Sequence, residues 1–194
     1  GSGQLVVLEV REGAQLLGIV PLFVAPNAVG IRRVNLVGCT EVSDYLDVIA
    51  RRGAESAVLE AMLDFLLDSE APAWDVLDFC NLPGSSPTRR LLPALAERRG
   101  LAHRQTLEDV CPVIRLPQSW DAYLETLTKK ERHETRRKLR RLEREAETRW
   151  WRVCTADELA GTMETFIALH RLSSEDKHQF MDERMSAFFG AMAA

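Results

Sequence analysis

A strongly basic segment, residues 129–141, is the feature that most restricts how this chain folds. It holds eight Lys or Arg residues against two Glu, and the surrounding sequence predicts an exposed helix over residues 128–147. The apolar stripe of the preceding helix ends at Leu127, and apolar spacing returns only at Leu139. Because charged side chains are rarely buried without partners, roughly three turns of this helix lack a face that can enter a core.

The cations of this helix fall into a regular pattern. Arg132, Arg136 and Arg140 share one face at i,i+4 spacing, and Lys129 lies one turn earlier. Guanidinium groups match the oxygens of phosphate, and their charges add over a short distance. This face, together with Arg137, is therefore predicted to bind an anionic substrate.

Two other interpretations of the basic helix remain open. One is a solvated surface held by i,i+4 ion pairs such as Glu134 with Lys138 and Arg141 with Glu145. Those pairs leave most of the arginines unmatched. The other is a packing surface for chain outside these residues.

The net charge of the whole chain opposes general binding of polyanions. Lys and Arg number 25 against 29 Asp and Glu, a net charge of −4, so any anion binding must be local. With 46% hydrophobic and 28% charged residues, the composition is that of an ordinary globular protein. The 194 residues suffice for one domain, or for one domain and part of another.

The rest of the chain alternates strand and helix patterns, which predicts an α/β (α+β) fold. Strands are predicted at residues 5–10, 15–24, 32–38, 45–50, 74–82, 103–116 and 149–155. Helices are predicted after Gly53, Ser86, Ser119 and Thr155, and from about residue 182 to 193. The first two strands read as a hairpin.

Turn and cap residues set several of these boundaries. Gly13 supplies a positive φ for the hairpin turn, and Pro21 requires an edge or a bulge because it has no N–H. Ser86 is an N-cap before a proline at the first helical position, and Gly100 ends that helix. Thr155 begins a capping-box pattern.

The turn Arg51-Arg52-Gly53 lies between a predicted strand and a helix start. Backbone N–H groups and the helix dipole favour an anion such as a pyrophosphate at that position. Glu55, in the first helical turn, can satisfy the dipole itself. An ordinary strand-to-helix turn therefore remains the alternative to a cofactor-binding turn.

The segment Ser43-Asp44-Tyr45-Leu46-Asp47 brings two carboxylates close together. Asp44 and Tyr45 are candidates for substrate binding, whereas acid–base catalysis requires a raised pKa that a sequence does not reveal. Capping or loop hydrogen bonds are the alternative role. The catalytic residues therefore stay unknown.

The four cysteines, Cys39, Cys80, Cys111 and Cys154, stand singly, without CxxC pairs. They are expected to be free, partly buried thiols in a reducing compartment, which favours a cytoplasmic location. No apolar run approaches the roughly 20 residues of a membrane span.

The four histidines do not favour a metal site. His103, His133 and His178 have no partners at metal-ligand spacing, so no metal is expected. His170 continues an apolar stripe and is predicted to be a histidine at the edge of the core.

Four stretches of the chain resemble a known family. They are Gly18-Ile19-Val20-Pro21-Leu22, Ser43-Asp44-Tyr45-Leu46-Asp47, Phe166-Ile167-Ala168-Leu169-His170-Arg171 and, above all, Trp120-Asp121-Ala122-Tyr123-Leu124 running into the basic helix. The chain resembles the GNAT-related acetyltransferases of the BioF2-like (CelD-like) group. That group is related to the Fem aminoacyltransferases and contains two GNAT-like domains in tandem.

The resemblance implies a GNAT-like mixed sheet with flanking helices, arranged in three parts. Residues 1–117 correspond to a first GNAT-like domain without its start, and residues 118–147 to a basic connecting helix. Residues 148–194 correspond to the start of a second domain that lacks its end.

The resemblance also implies transfer of an acyl group from acetyl-CoA or another acyl-CoA to an amine or hydroxyl. Arg51, Arg52 and Gly53 occupy the place of the turn that binds the acyl-CoA pyrophosphate, although the glycine follows Arg51 by two residues instead of three. Two alternatives stay open. One is a Fem-like transferase that uses aminoacyl-tRNA, and the other is a non-catalytic module whose basic helix docks an acidic partner.

Overall fold

The structure, a computed structural model, describes residues 3–38, 42–149 and 151–193. Those residues form a five-stranded mixed sheet and seven helices, which confirms the predicted α/β (α+β) class. The chain divides into two compact units, Gly1–Val113 and Ile114–Ala194. The sheet belongs to the first unit.

The first unit contains all five strands and two helices. The strands are β1 (Gln4–Glu12), β2 (Gln15–Pro26), β3 (Arg32–Leu36), β4 (Ile49–Ala50) and β5 (Val76–Leu77), and the helices are α1 (Glu55–Leu67) and α2 (Pro87–Glu97). The sheet order is β1-β2-β3-β5, and β4 pairs with β2. The pairs that involve β2 are antiparallel, whereas β3 and β5 are parallel.

The predicted hairpin is confirmed. β1 and β2 are antiparallel from Gln4 opposite Val24 to Glu12 opposite Gln15. Gly13 adopts a φ of 57° in the turn between them, the left-handed conformation that glycine reaches without steric cost.

Pro21 lies in the central strand β2 and not at an edge or bulge. Its carbonyl accepts a hydrogen bond from Val37 N at 2.9 Å, so its nitrogen faces the same side of the strand. On that side, β4 pairs with β2 up to Ile19, and β3 begins to pair at Leu22. The missing N–H therefore falls opposite Val37, at the end of the β2–β3 ladder and beside the break between the two partner strands, so only one terminal hydrogen bond is lost.

The core of the first unit lies between β2 and α1. Val20, Leu22 and Val24 alternate along one face of β2 and are at most 8% exposed. They pack in one cluster with the buried α1 residues Val58, Leu59, Met62, Leu63 and Leu66. Burial of each such side chain contributes about 1.5–3 kcal/mol, so this cluster is the main stabilising feature of the unit.

The opposite face of the sheet carries exposed apolar side chains. Leu5, Val7 and Ile49 are 63%, 53% and 60% exposed. Leu5 lies opposite Phe23, and Ile49 lies opposite Ile19 on the neighbouring strands. In the first unit, α1 packs on the face of β2 that carries the core, and these exposed side chains lie on the other face.

Four of the predicted strands are shorter than expected or are not strands. The strand at 45–50 contracts to β4, and the strand at 74–82 contracts to β5. Residues 103–116 form no strand, and neither do the described residues of 149–155. An extended segment forms a strand only where its N–H and C=O groups pair with a neighbouring strand. Residues 103–116 have no such partner strand in the described part of the chain, and Val113 is 81% exposed.

The predicted caps are correct for two of three helix starts. Ser86 Oγ accepts from Arg89 N at 3.1 Å, and Ser119 Oγ accepts from Ala122 N at 3.2 Å. Thr155 is at the N-cap position of its helix, but its side chain makes no capping hydrogen bond, so the predicted capping box is wrong.

The second unit is helical in its described residues. It contains α3 (Trp120–Thr126), α4 (Lys129–Glu145), α5 (Ala156–Ser173), α6 (Glu175–Phe180) and α7 (Glu183–Ala193). None of the helices in the described part of the chain has the length and apolar character needed to cross a membrane.

An aromatic cluster joins α5 to α6 and α7. His170 lies 5.9 Å from Phe166 and 6.1 Å from Phe180 between ring centroids, and Phe189 contacts both phenylalanines edge to face. His170 is half-buried, which confirms the predicted place at the edge of a core. Arg171 stabilises the cluster, because its Nε donates to Met181 O, between α6 and α7, at 2.7 Å.

The cysteines are more exposed than expected. Cys80, Cys111 and Cys154 are free thiols, and only Cys80 is half-buried. The prediction of partly buried thiols is therefore wrong for Cys111 and Cys154. Cys39 lies outside the described residues.

Candidate anion-binding site

The basic helix α4 is stabilised at its N-terminus by a capping box. Glu131 N donates to Thr128 Oγ1 at 3.3 Å, and Thr128 N donates to Glu131 Oε2 at 3.0 Å. The hydrogen bond from the Thr128 hydroxyl, assisted by that from its backbone, lowers the pKa of Glu131. A cap of this kind contributes about 1 kcal/mol to helix stability.

No residue of α4 is buried, which confirms the predicted lack of a core-facing stripe. The helix has 17 residues and is about 26 Å long. It carries nine Lys or Arg residues against four Glu, a net charge of +5, whereas the whole chain carries −4. The positive charge of the molecule is therefore concentrated on this helix.

One side of α4 is neutralised by its own carboxylates. Glu134 accepts from Arg137 Nε and Nη2 at 2.8 and 2.6 Å and lies 3.8 Å from Lys138 Nζ. Arg141 Nε donates to Glu145 at 2.8 Å. Both predicted i,i+4 pairs are confirmed. Arg137, predicted as an anion-binding residue, has the Nε–Nη2 edge of its guanidinium occupied by Glu134.

The other side of α4 carries cations without such partners. Lys129, Arg136 and Arg140 are exposed, and no carboxylate of a described residue lies within 4.0 Å of them. With Arg132 they lie within about 80° of the helix circumference, which we call the cationic stripe. The ion-paired side chains occupy the adjoining sector. The stripe thus holds only unmatched cations, but Lys130, in the adjoining sector, also has no carboxylate of a described residue within 4.0 Å.

Arg132 is held differently from the rest of the cationic stripe. Its Nη2 donates to Leu127 O at 3.1 Å, and the residue is half-buried. Its Nε is buried and has no hydrogen-bond partner among the described residues. Arg132 is therefore held by Leu127, and its buried Nε cannot reach a ligand, whereas the other three cations are exposed.

An open depression of about 490 Å³ lies at the N-terminal end of α4. Its lining consists of Lys129, Lys130, His133 and Glu134. Two lysines and a histidine around one depression favour an anion there, although Glu134 reduces the positive potential.

The turn Arg51-Arg52-Gly53 is exposed and leads into α1. Gly53 has a φ of 86°, and its N–H donates to Glu55 Oε2 at 2.7 Å. The carboxylate of Glu55 thus already occupies the position that an anion would take at this helix start. This geometry favours the ordinary strand-to-helix turn over a pyrophosphate site.

Asp44 and Tyr45 lie in the loop before β4, and both are exposed. A hydrogen bond with Cys111 raises the pKa of Tyr45 above its usual value of 10, and the charges of Cys111 and Asp44 act in the same direction. Asp47 Oδ1 accepts from Val48 N at 2.8 Å, a loop hydrogen bond of the predicted kind.

Asn81 organises the same loop and was not identified from the sequence. Its φ is 56°, its O accepts from Leu46 N at 3.1 Å, and its Nδ2 donates to Ser43 O at 2.6 Å. Its N–H donates to Glu108 Oε2 at 2.8 Å. Asparagine tolerates the left-handed region, so the residue type at position 81 is the only local signal of this role.

The predicted residues fall in three places. The turn at Arg51 and the loop of Tyr45 belong to the first unit, and the cationic stripe belongs to the second. In the described part of the chain, no three His, Cys, Asp or Glu side chains are arranged to hold a metal ion. No protein-family model matches this chain, and neither a curated protein nor a solved structure shows a significant match.

Proposed function

We propose that this protein takes part in the transfer of an acyl group from an acyl-CoA to an amine or hydroxyl, and that the cationic stripe binds a phosphorylated substrate. The unmatched cations of α4 are the observation that carries the proposal. The resemblance of residues 120–124 and of the basic helix to GNAT-related acyltransferases supplies the reaction class.

The reaction requires little covalent chemistry from the protein. The acceptor nitrogen or oxygen attacks the thioester carbonyl, a tetrahedral oxyanion forms, and the C–S bond breaks to release CoA as a thiolate that takes up a proton. The acceptor loses its proton to a base. Such reactions are accelerated mainly by positioning the reactants and by stabilising the oxyanion. A surface that fixes the phosphates of a substrate serves the positioning.

The mixed sheet is compatible with this reaction class but does not select it, since many activities occur on one fold. The first unit has an antiparallel β1-β2-β3 arrangement and a parallel β3–β5 pair reached through α1. This arrangement agrees with the implied GNAT-like sheet only in being mixed. Function must therefore be argued from the charges on α4.

The cationic stripe is better suited to phosphate than the turn at Arg51. At the turn, Glu55 accepts from the Gly53 N–H that would meet a pyrophosphate. On the stripe, Arg136 and Arg140 have no carboxylate of a described residue within 4.0 Å. At the turn a phosphate must displace the Glu55 carboxylate, whereas no such carboxylate competes for Arg136 or Arg140.

Binding of acetyl-CoA to the full 194-residue chain tests the proposal. We expect R136Q/R140Q to weaken binding about tenfold, because two exposed charge contacts are lost. The matched control is K138Q/R141Q, which removes the same charge from the ion-paired side and is expected to change affinity less than twofold. Release of free thiol from acetyl-CoA with an amine acceptor measures turnover. Equal affinities for both variants and the parent would contradict the proposal.

A further inference from the structure

The spacing of the cationic stripe restricts the shape of its ligand. Arg132, Arg136 and Arg140 are four residues apart, so neighbouring Cα atoms are separated by about 6 Å along the helix axis. From Lys129 to Arg140 the stripe extends about 16 Å. The stripe therefore presents a row of cations and not a single cluster.

A compact anion matches only part of this row. Inorganic pyrophosphate has two adjacent phosphates and can therefore contact two neighbouring cations of the stripe. CoA carries a pyrophosphate and a separate ribose phosphate, which together meet about half of it. Any remaining cation would face solvent, where it contributes little to binding.

We propose that α4 binds a linear chain of phosphates, phosphodiester or phosphoanhydride, laid along the cationic stripe. This inference rests on the proposed phosphate-binding role of α4 and names its substrate class. Arg136 and Arg140 each bind a phosphate through the guanidinium fork, and Arg132 contributes the terminal nitrogens of its half-buried side chain. Lys129, as a point charge beside the depression that Lys130 and His133 line, receives the end of the chain.

Two other macromolecular partners fit the helix less well. A helix binds an anionic membrane more strongly when an apolar face inserts between lipids, and α4 offers only Leu139 and Leu142 for this, which are 39% and 47% exposed. An acidic polypeptide offers carboxylates. The carboxylates of Glu134 and Glu145 on the same helix bind Arg137 and Arg141 and leave the stripe unmatched.

A row of phosphate contacts has a characteristic dependence on salt. For single-stranded polyanions the logarithm of the affinity falls by about 0.7 per phosphate contact for each tenfold rise in salt. Four contacts therefore give a slope of about −3. A ligand that contacts only two of the four cations gives a slope about half as steep.

The experiment titrates the full chain with four probes over a range of NaCl concentrations. The probes are pyrophosphate, CoA, inorganic polyphosphate and an octamer of uridylate. We expect at least one of the two linear probes to bind about tenfold or more tighter than pyrophosphate at low salt, with the steeper slope. Polyphosphate and uridylate distinguish an anhydride chain from a diester chain.

Single neutralisations locate the row. K129Q, R136Q and R140Q are each expected to reduce the slope for the linear probe by about 0.7. K138Q and R141Q remove equal charge from the ion-paired side and are expected to leave the slope nearly unchanged. Far-ultraviolet circular dichroism establishes that each variant keeps its helix.

Several results would overturn the inference. Equal loss of slope in the control variants would mean that the helix acts as a diffuse charge, and equally tight binding of poly-glutamate would mean that it selects carboxylates. Stripe-dependent binding of CoA that no linear probe exceeds would refute the linear ligand and leave the proposed function standing. Failure of all four probes would refute both.

Discussion

Arg32 and Asp75 fasten β3 to β5 through both backbone and side chain. The Asp75 carboxylate accepts from Arg32 N at 2.8 Å, from Nε at 3.0 Å and from Nη2 at 2.6 Å. In return, Asp75 N donates to Arg32 O at 2.9 Å. The parallel pair is only two residues long on the β5 side, so this clamp lies directly beside its short ladder.

Acid is expected to weaken this clamp within a defined pH range. Hydrogen bonds from the Arg32 side chain and backbone lower the pKa of Asp75 from 3.8 to about 2. Since the folded pKa is depressed, the clamp contributes its full stabilisation above pH 3.8 and loses it as the pH falls toward 2. Urea unfolding between pH 5 and pH 2 should therefore show a smaller loss of stability in D75N than in the parent. A parallel decline of both proteins would contradict the prediction.

Gly18 is required where α1 approaches the sheet closely. A Cβ at this position would lie 2.7 Å from Ile49 O and 2.7 Å from a methyl group of Val58. Because one of the neighbours is backbone, G18A is expected to destabilise the first unit by about 1–3 kcal/mol. Thermal unfolding followed by circular dichroism measures this. The control is G84A, whose added Cβ meets nothing within 4 Å. An equal effect of both substitutions would refute the steric explanation.

The N-terminus of α4 depends on the Thr128 hydroxyl. T128A removes the acceptor for Glu131 N and should cost about 1 kcal/mol of local helix stability. Because α4 has no buried residue to hold it, the loss should appear as faster amide exchange in its first turn. T135A, in the middle of the same helix, should slow exchange or leave it unchanged, since alanine has the higher helix propensity. Unchanged protection of the first turn in T128A would show that the cap is dispensable.

Features decided by neighbouring residues were predictable from the sequence. The Ser86 and Ser119 caps require a hydroxyl and an N–H three residues later, and both hydrogen bonds are present. The turn at Gly13 likewise depends on one residue with a positive φ. The lack of a buried face on α4 follows from its charges, since the helical period leaves no apolar side.

Features decided by distant partners were not predictable. Apolar alternation around Val113 indicates a strand, but a ladder forms only with a partner, and periodicity carries no information about one. The loop of Tyr45 depends on Asn81, which lies 36 positions further along the chain. Even within one helix, the i,i+4 spacing predicted that Glu134 pairs with Lys138. The two are 3.8 Å apart, whereas Glu134 lies 2.6 Å from Arg137. Such choices depend on side-chain conformation.

The family resemblance and the local geometry lead to different predictions for the turn at Arg51. If the turn bound the CoA pyrophosphate, R51Q/R52Q would weaken acetyl-CoA binding markedly. Because Glu55 already accepts from Gly53 N at 2.7 Å, we expect this variant to bind within about twofold of the parent.

E55Q is the complementary test, since removal of the competing charge opens the helix start to an anion. Tighter binding in E55Q that is abolished when R51Q/R52Q is added would return the cofactor site to this turn. If neither variant changes acetyl-CoA binding, the phosphates of CoA bind at α4, where neutralisation of Arg136 and Arg140 is expected to weaken binding.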